Sequence, residues 1–291
     1  MRKKYLHLTA LRNLFSGLIL VLLLTGCGAT EKKEASSEDY DLDSPEKFNM
    51  PESLFEISGI ALNKGRNDTV YAIQDEEGKL FRLAWEVSKQ LNSKFSKKGD
   101  YEDVSILRNT VFILKSNGTL FSYPLSEAVF EDPEGVREQK GILPKGEYEG
   151  MYGDETSGEL YIICKNCPGD DSKSSVTGYI INPTDSTKSA RTFSIQVDEI
   201  KAFTGKVARG FRPSGIAKNP LTGEWYIISA VNKLMVVTDK RWKVKSALPL
   251  SGNQFIQPEG IAFDRTGSLY ISNEGDDLFS GNILKFKKLS R

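Results

Sequence analysis

Histidine is all but missing from these 291 residues: the only one is His7. It falls inside the export signal described below, so the folded part of the chain has none. That excludes Ser-His-Asp and Cys-His catalysis and histidine-ligated metal centres. An excess of one charge sign is also lacking, since Lys plus Arg and Asp plus Glu number 39 each. Past residue 26 there are 35 basic and 39 acidic groups, so there is no basic footprint for nucleic acid. No Walker loop, dinucleotide fingerprint or nucleophile elbow is present. A long hydrophobic run is absent too. Leu14 to Leu24 is about a dozen residues, where a membrane span needs roughly 20.

That short run does have a reading. Arg2, Lys3 and Lys4 precede it, and Leu24-Thr25-Gly26-Cys27 follows it. A basic start, a short apolar stretch and a small residue before cysteine resemble a bacterial lipoprotein signal. The expectation is a signal peptide over residues 1–26, cleavage before Cys27, and a lipid on Cys27. The protein would then be membrane-anchored, extracytoplasmic and part of the cell envelope. Residues 27–46 are rich in Glu, Lys, Ser and Asp and read as a flexible, solvated tether. The folded domain is expected over residues 47–291.

Cysteine is scarce as well, with three in all. The other two stand as Cys164-Lys165-Asn166-Cys167. In an oxidising compartment a local disulfide between Cys164 and Cys167 is expected. Free thiols are the next reading. A redox pair would need a thioredoxin-like βαβ context, which the sequence lacks, and zinc would need two more ligands.

What the sequence has in plenty is self-similarity. Five segments share one pattern: Ile57-Ser58-Gly59-Ile60-Ala61, Tyr101-Glu102-Asp103-Val104-Ser105, Tyr148-Glu149-Gly150-Met151-Tyr152, Pro213-Ser214-Gly215-Ile216-Ala217 and Pro258-Glu259-Gly260-Ile261-Ala262. Their third positions are spaced by 44, 47, 65 and 45 residues. A second, nearly continuous apolar strand follows each, as in Leu160-Tyr161-Ile162-Ile163. A third strand follows that, and a fourth is visible in Thr192 to Ile195 and Ala247 to Leu250. Runs apolar throughout are expected of strands buried on both faces. Four short antiparallel strands repeated about every 45 residues indicate an all-β, five-bladed β-propeller of four-stranded antiparallel blades. The last repeat lacks a fourth strand, and Lys47 to Met50 is placed to supply it and close the ring. The long spacing holds an insertion, with helical periodicity between Asp198 and Phe211.

In a propeller the first strand of each blade lines the central channel. The residue before the shared third position is then Ser58, Glu102, Glu149, Ser214 or Glu259. Carboxylates converging on one mouth repel each other and call for a cation, a proton or a basic partner. Ca2+ suits Glu102, Glu149 and Glu259 best, with Ser58, Ser214, Asp75 and Glu274 as additional channel residues. The same glutamates could instead cap backbone groups of the next blade, face solvent, or pair with Lys165 or Lys115.

The Ser-Gly-Ile, Tyr-Glu-Gly-Met, Pro-Ser-Gly-Ile and Pro-Glu-Gly-Ile openings, with Tyr-containing second strands, resemble the SdiA-regulated family. These are bacterial envelope proteins distantly similar to NHL-repeat propellers. The resemblance covers about residues 50–288. It implies a five-bladed propeller and a Ca2+ site, without fixing a reaction. Asp103, where Gly is usual, and the cysteine-bearing third repeat depart from the pattern. Two functions remain. One is a membrane-anchored binding module, with the Cys27 lipid in the membrane and a protein or glycan as ligand. The other is a Ca2+-dependent hydrolase of lactonase or phytase type. The absence of any nucleophile–base pair favours the first, and a monomer is expected.

Overall fold

The computed structural model describes residues 39–85, 90–185, 189–276 and 278–290. The expected signal peptide and Cys27 lie outside the described residues. The chain divides into Met1–Glu31 and Lys32–Arg291, and only the second unit is described below.

The unit opens with β1 (Glu46–Asn49). Blade 1 is β2 (Ile57–Leu62), β3 (Val70–Gln74), β4 (Lys79–Leu83) and β5 (Leu91–Lys94). Blade 2 is β6 (Tyr101–Leu107), β7 (Thr110–Lys115), β8 (Leu120–Pro124) and β9 (Arg137–Gln139). Blade 3 is β10 (Glu147–Asp154), β11 (Glu159–Asn166), β12 (Ser175–Ile181) and β13 (Arg191–Gln196), followed by α1 (Val197–Thr204). Blade 4 is β14 (Gly215–Lys218), β15 (Trp225–Ser229), β16 (Leu234–Thr238) and β17 (Val244–Pro249). Blade 5 is β18 (Pro258–Phe263), β19 (Leu269–Asn273) and β20 (Asn282–Phe286), and β1 is its fourth strand. Strand β1 runs antiparallel to β20, with Phe48 opposite Ile283. The protein is therefore a five-bladed propeller closed by its N-terminal strand.

The continuous apolar runs follow from this packing. Side chains alternate across a strand, and each blade is covered on both faces. In β7, Ile113 joins the core between blades 1 and 2, while Phe112 and Leu114 join that between blades 2 and 3. Each of the five blade interfaces has its own apolar cluster. Among the described residues all of them lie inside Lys32–Arg291, so this unit has the core that an independently folding domain needs.

One expectation needs correction. The tether does not run to residue 46. Tyr40, the one aromatic in that segment, is 1% exposed. Its hydroxyl donates to the Gly267 carbonyl at 2.7 Å and accepts from Asn219 Nδ2 at 3.1 Å, while its ring packs on Tyr226 and Phe263. Burying one large aromatic outweighs the polarity around it. The folded chain thus begins before residue 47. The short helix expected in the insertion is present as α1. It ends at Thr204 because Gly205 adopts φ +78°, a left-handed stop. Phe211 reaches the same core separately.

Candidate metal centre at the channel mouth

The repeated residues reach the channel through a backbone device. In β6, Tyr101 pairs with Lys115 and Asp103 with Leu114, so Glu102 is an extra, unpaired residue. Strand β10 does the same at Glu149, and β2 and β18 carry one extra residue at Ser58-Gly59 and Glu259-Gly260. Such bulges bend a strand and re-aim a side chain. The second strands run antiparallel, so the residues that follow them return to the same mouth. Asp75 N–H donates to the Glu56 carbonyl, and Glu274 N–H to the Gln257 carbonyl.

The expected residues then divide by role. Ser58 and Ser214 are buried, and their hydroxyls donate across blade boundaries, Ser58 to the Glu102 carbonyl and Ser214 to the Pro258 carbonyl. They hold neighbouring blades together and leave the channel to the acids. Asp103 has a similar task. Its buried carboxylate accepts from Val104 N–H at 2.8 Å and from Met151 N–H of blade 3 at 2.6 Å. Burial drives its pKa well above the carboxylate range. Gly59 makes room for it: a Cβ there would lie 2.2 Å from Asp103 Oδ1.

Glu149 is not a bare ligand. Lys165 Nζ donates to its Oε1 at 2.7 Å and lies 3.7 Å from Glu147. Burial still raises the Glu149 pKa against that pairing. Lys165 sits between Cys164 and Cys167, which are disulfide-bonded with Cα atoms 5.9 Å apart. Glu102 and Glu259 have no such partner. Burial, then Glu149 and Asp100, push Glu102 to about 9, with Lys165 opposing. Burial, then Glu149 and Glu274, push Glu259 to about 8.

The tightest acidic group lies beside these. Carboxylate oxygens of Glu56, Asp75 and Glu274 lie within 4.8 Å of one another, which those of Glu102, Glu149 and Glu259 do not. Asp75 Oδ1 is buried with no hydrogen-bond partner. Burial and then Glu56 push Asp75 to about 6, and burial and then Asp75 push Glu274 to about 7. Gln257 links the two groups by donating to Glu274 and hydrogen-bonding Glu259. The donor set is all carboxylate oxygen, and one buried oxygen lacks a donor. Both features fit a hard cation such as Ca2+.

Glu56 was not among the expected residues. The signal was present three places before the shared position, where the repeats carry Glu56, Asp100, Glu147, Arg212 and Gln257. Blade 1 has an acid there and another in Asp75, and ring closure brings Glu274 of blade 5 to meet both.

Residues 185–280 match the model of a family described as SdiA-regulated. That match covers part of the chain, and the five-bladed fold agrees with it. A search of curated proteins finds no matching sequence. Among solved structures, a luciferin-regenerating enzyme superposes with a TM-score of 0.54 over 85% of this chain and 96% of its own, at 10% identity. Myxococcus xanthus glutaminyl cyclase gives 0.53 over 84% of this chain and 96% of its own, at 12% identity. At such identities the likenesses speak for the propeller fold alone.

Proposed function

We propose that this SdiA-regulated propeller is an extracytoplasmic binding module, anchored by a lipid on Cys27, that holds Ca2+ at the acidic mouth of its channel. The observation that carries the cation is the trio Glu56, Asp75 and Glu274, together with a buried, donorless Asp75 oxygen. Glu259 lies close enough to Glu274 to feel its charge, and it adds negative potential once it ionises near pH 8. Ca2+ takes six to eight oxygens in loose geometry, and backbone carbonyls and water complete what three carboxylates begin. A protein or glycan partner would then meet a rigid face whose charge depends on the ion.

The mouth offers little for hydrolysis. A phytase-type site gathers cations around the metal. Here Lys165 is committed to Glu149, and Lys233 Nζ donates to the Ile256 carbonyl. The described residues include no histidine to act as a base. Calorimetric titration of the chain from Lys32 with Ca2+ tests the site, and one ion per chain is expected. Asp75→Asn with Glu274→Gln should abolish the heat, and unchanged binding would remove the assignment. Turnover of a lactone or phytate that EDTA abolishes would replace the binding module by the hydrolase. Metabolic lipid labelling lost in Cys27→Ser tests the anchor.

A further inference from the structure

The two ends of the channel differ in charge. The acids stand where the innermost strands begin. Where those strands end, the channel opens into a cavity of about 620 Å3, within the range that holds a small organic molecule. Its floor is Ile60, Val104, Met151 and Ile261, the residues just after the shared position, all nearly fully buried. Tyr152 and Phe263 form part of the wall.

The rim is cationic. Lys64 and Arg265 come from the first turns of blades 1 and 5, and Lys240 from the last turn of blade 4. All three are exposed, and none forms an ion pair among the described residues. A fourth cation, Lys218, is already committed to buried Asp154 at 2.7 Å. Lys218 helps hold the Asp154 pKa below the usual range despite burial, so that pair contributes no net charge. The remaining acid is Glu155, which accepts from the Arg108 N–H. Three cations without ion pairs thus face one carboxylate across a cup of mixed polarity with an apolar floor and an aromatic wall.

We infer that this cavity binds a small organic anion: an apolar or aromatic body seated on the Ile60, Val104, Met151 and Ile261 floor, and one carboxylate, sulfonate or phosphate group held at the rim by Lys64, Lys240 and Arg265. The body gains from leaving water, and the charge stays at the exposed rim, where its desolvation is small. The inference does not depend on Ca2+ at the opposite mouth.

Fluorescence titration of the chain from Lys32 with 8-anilinonaphthalene-1-sulfonate, in EDTA, tests it. One saturable site is expected. Naphthalene-2-carboxylate and 2-naphthyl phosphate should displace the probe, and their relative strengths distinguish a carboxylate ligand from a phosphate one. Neutral 2-naphthamide should compete about tenfold more weakly than either. Lys240→Glu with Arg265→Glu should weaken the anions by about tenfold or more and leave 2-naphthamide unchanged. Lys47→Glu with Lys97→Glu makes the same charge change on exposed residues outside the cavity, and should have less than about a twofold effect. Should the rim double variant unfold by circular dichroism, Lys240→Ala and Arg265→Ala taken singly carry the same comparison. Absence of a saturable site for the probe, or rim variants no weaker than the distant pair, overturns the inference.

Discussion

Removing one negative charge, by Glu259→Gln, should make the cation-free protein more stable at pH 8. Glu259 sits among Glu149, Glu274, Lys165, Lys233 and Gln257. Burial and the two acids outweigh the rest and raise its pKa from 4.5 to about 8. The folded state therefore keeps a proton that the unfolded chain releases above about pH 4.5. The contribution is fully present at low pH and is lost as pH rises to about 8. Each pH unit in that window costs about 1.4 kcal/mol. Allowing for water at the mouth, the loss from pH 5 to 8 is about 2–4 kcal/mol for Glu259 alone. For a domain of this size that is a fall in Tm of roughly 5–15 °C. Glu102, Glu274 and Asp75 shift in the same direction and steepen it. Glutamine mimics the protonated carboxyl, so the variant should match the parent at pH 5 and exceed it by about 2–4 kcal/mol at pH 8 in EDTA. Saturating Ca2+ should flatten the parent's pH profile and stabilise it by about 2.7 kcal/mol at a hundred times Kd, with a smaller effect on the variant. Thermal melts from pH 5 to 9, with EDTA or Ca2+, measure all of this. A flat EDTA profile, or a variant less stable than the parent at pH 8, would refute the reasoning.

Three further outcomes follow from single contacts. Lys165→Met leaves Glu149 buried without its partner, so it should lower stability at pH 8 by about 1–3 kcal/mol while tightening Ca2+ severalfold in calorimetry, because a competing charge is gone. Tyr40→Ala should cost about 3–5 kcal/mol in urea unfolding, and a chain begun at residue 47 should lose a similar amount. Asp103→Leu strands the Val104 and Met151 N–H groups and should cost about 1–3 kcal/mol for each. Asp103→Asn keeps one acceptor and should cost less.

Repetition made the fold readable. Five openings, five apolar second strands and a missing fourth strand in the last repeat were enough to place every blade and the closing strand β1. Their logic is local: a strand buried on both faces needs apolar residues at every position, whatever lies beyond it. The site was half legible for the opposite reason. Alignment put Glu102, Glu149 and Glu259 at one mouth and offered Lys165 or Lys115 as a partner, but it could not say which lysine meets which glutamate; Lys165, sixteen residues after Glu149, folds back onto that one. Nor could it show that Ser58 and Ser214 spend their hydroxyls on the next blade. Glu56 escaped because it stands just outside the shared opening, which begins at Ile57. Tyr40 escaped because a segment of acids and serines reads as solvated until the surface beneath it is known.

The acidic trio sits at the seam where the ring closes. Glu56 and Asp75 belong to blade 1 and Glu274 to blade 5, the two ends of the repeat array. The chain crosses that seam once, through residues 50–56 between β1 of blade 5 and β2 of blade 1. The seam is held by β1 on β20, by Met50 N–H to the Gly281 carbonyl, by Gly275 N–H to the Phe55 carbonyl, and by Ser272 Oγ to the Ser58 carbonyl. Ionising three carboxylates within 4.8 Å of one another pushes those two blades apart, because like charges at that separation repel strongly when partly buried. The same charges, gathered on a divalent ion, draw the blades together. A cation at this mouth would therefore stabilise ring closure itself, and the binding face around the channel would be most rigid when the ion is present.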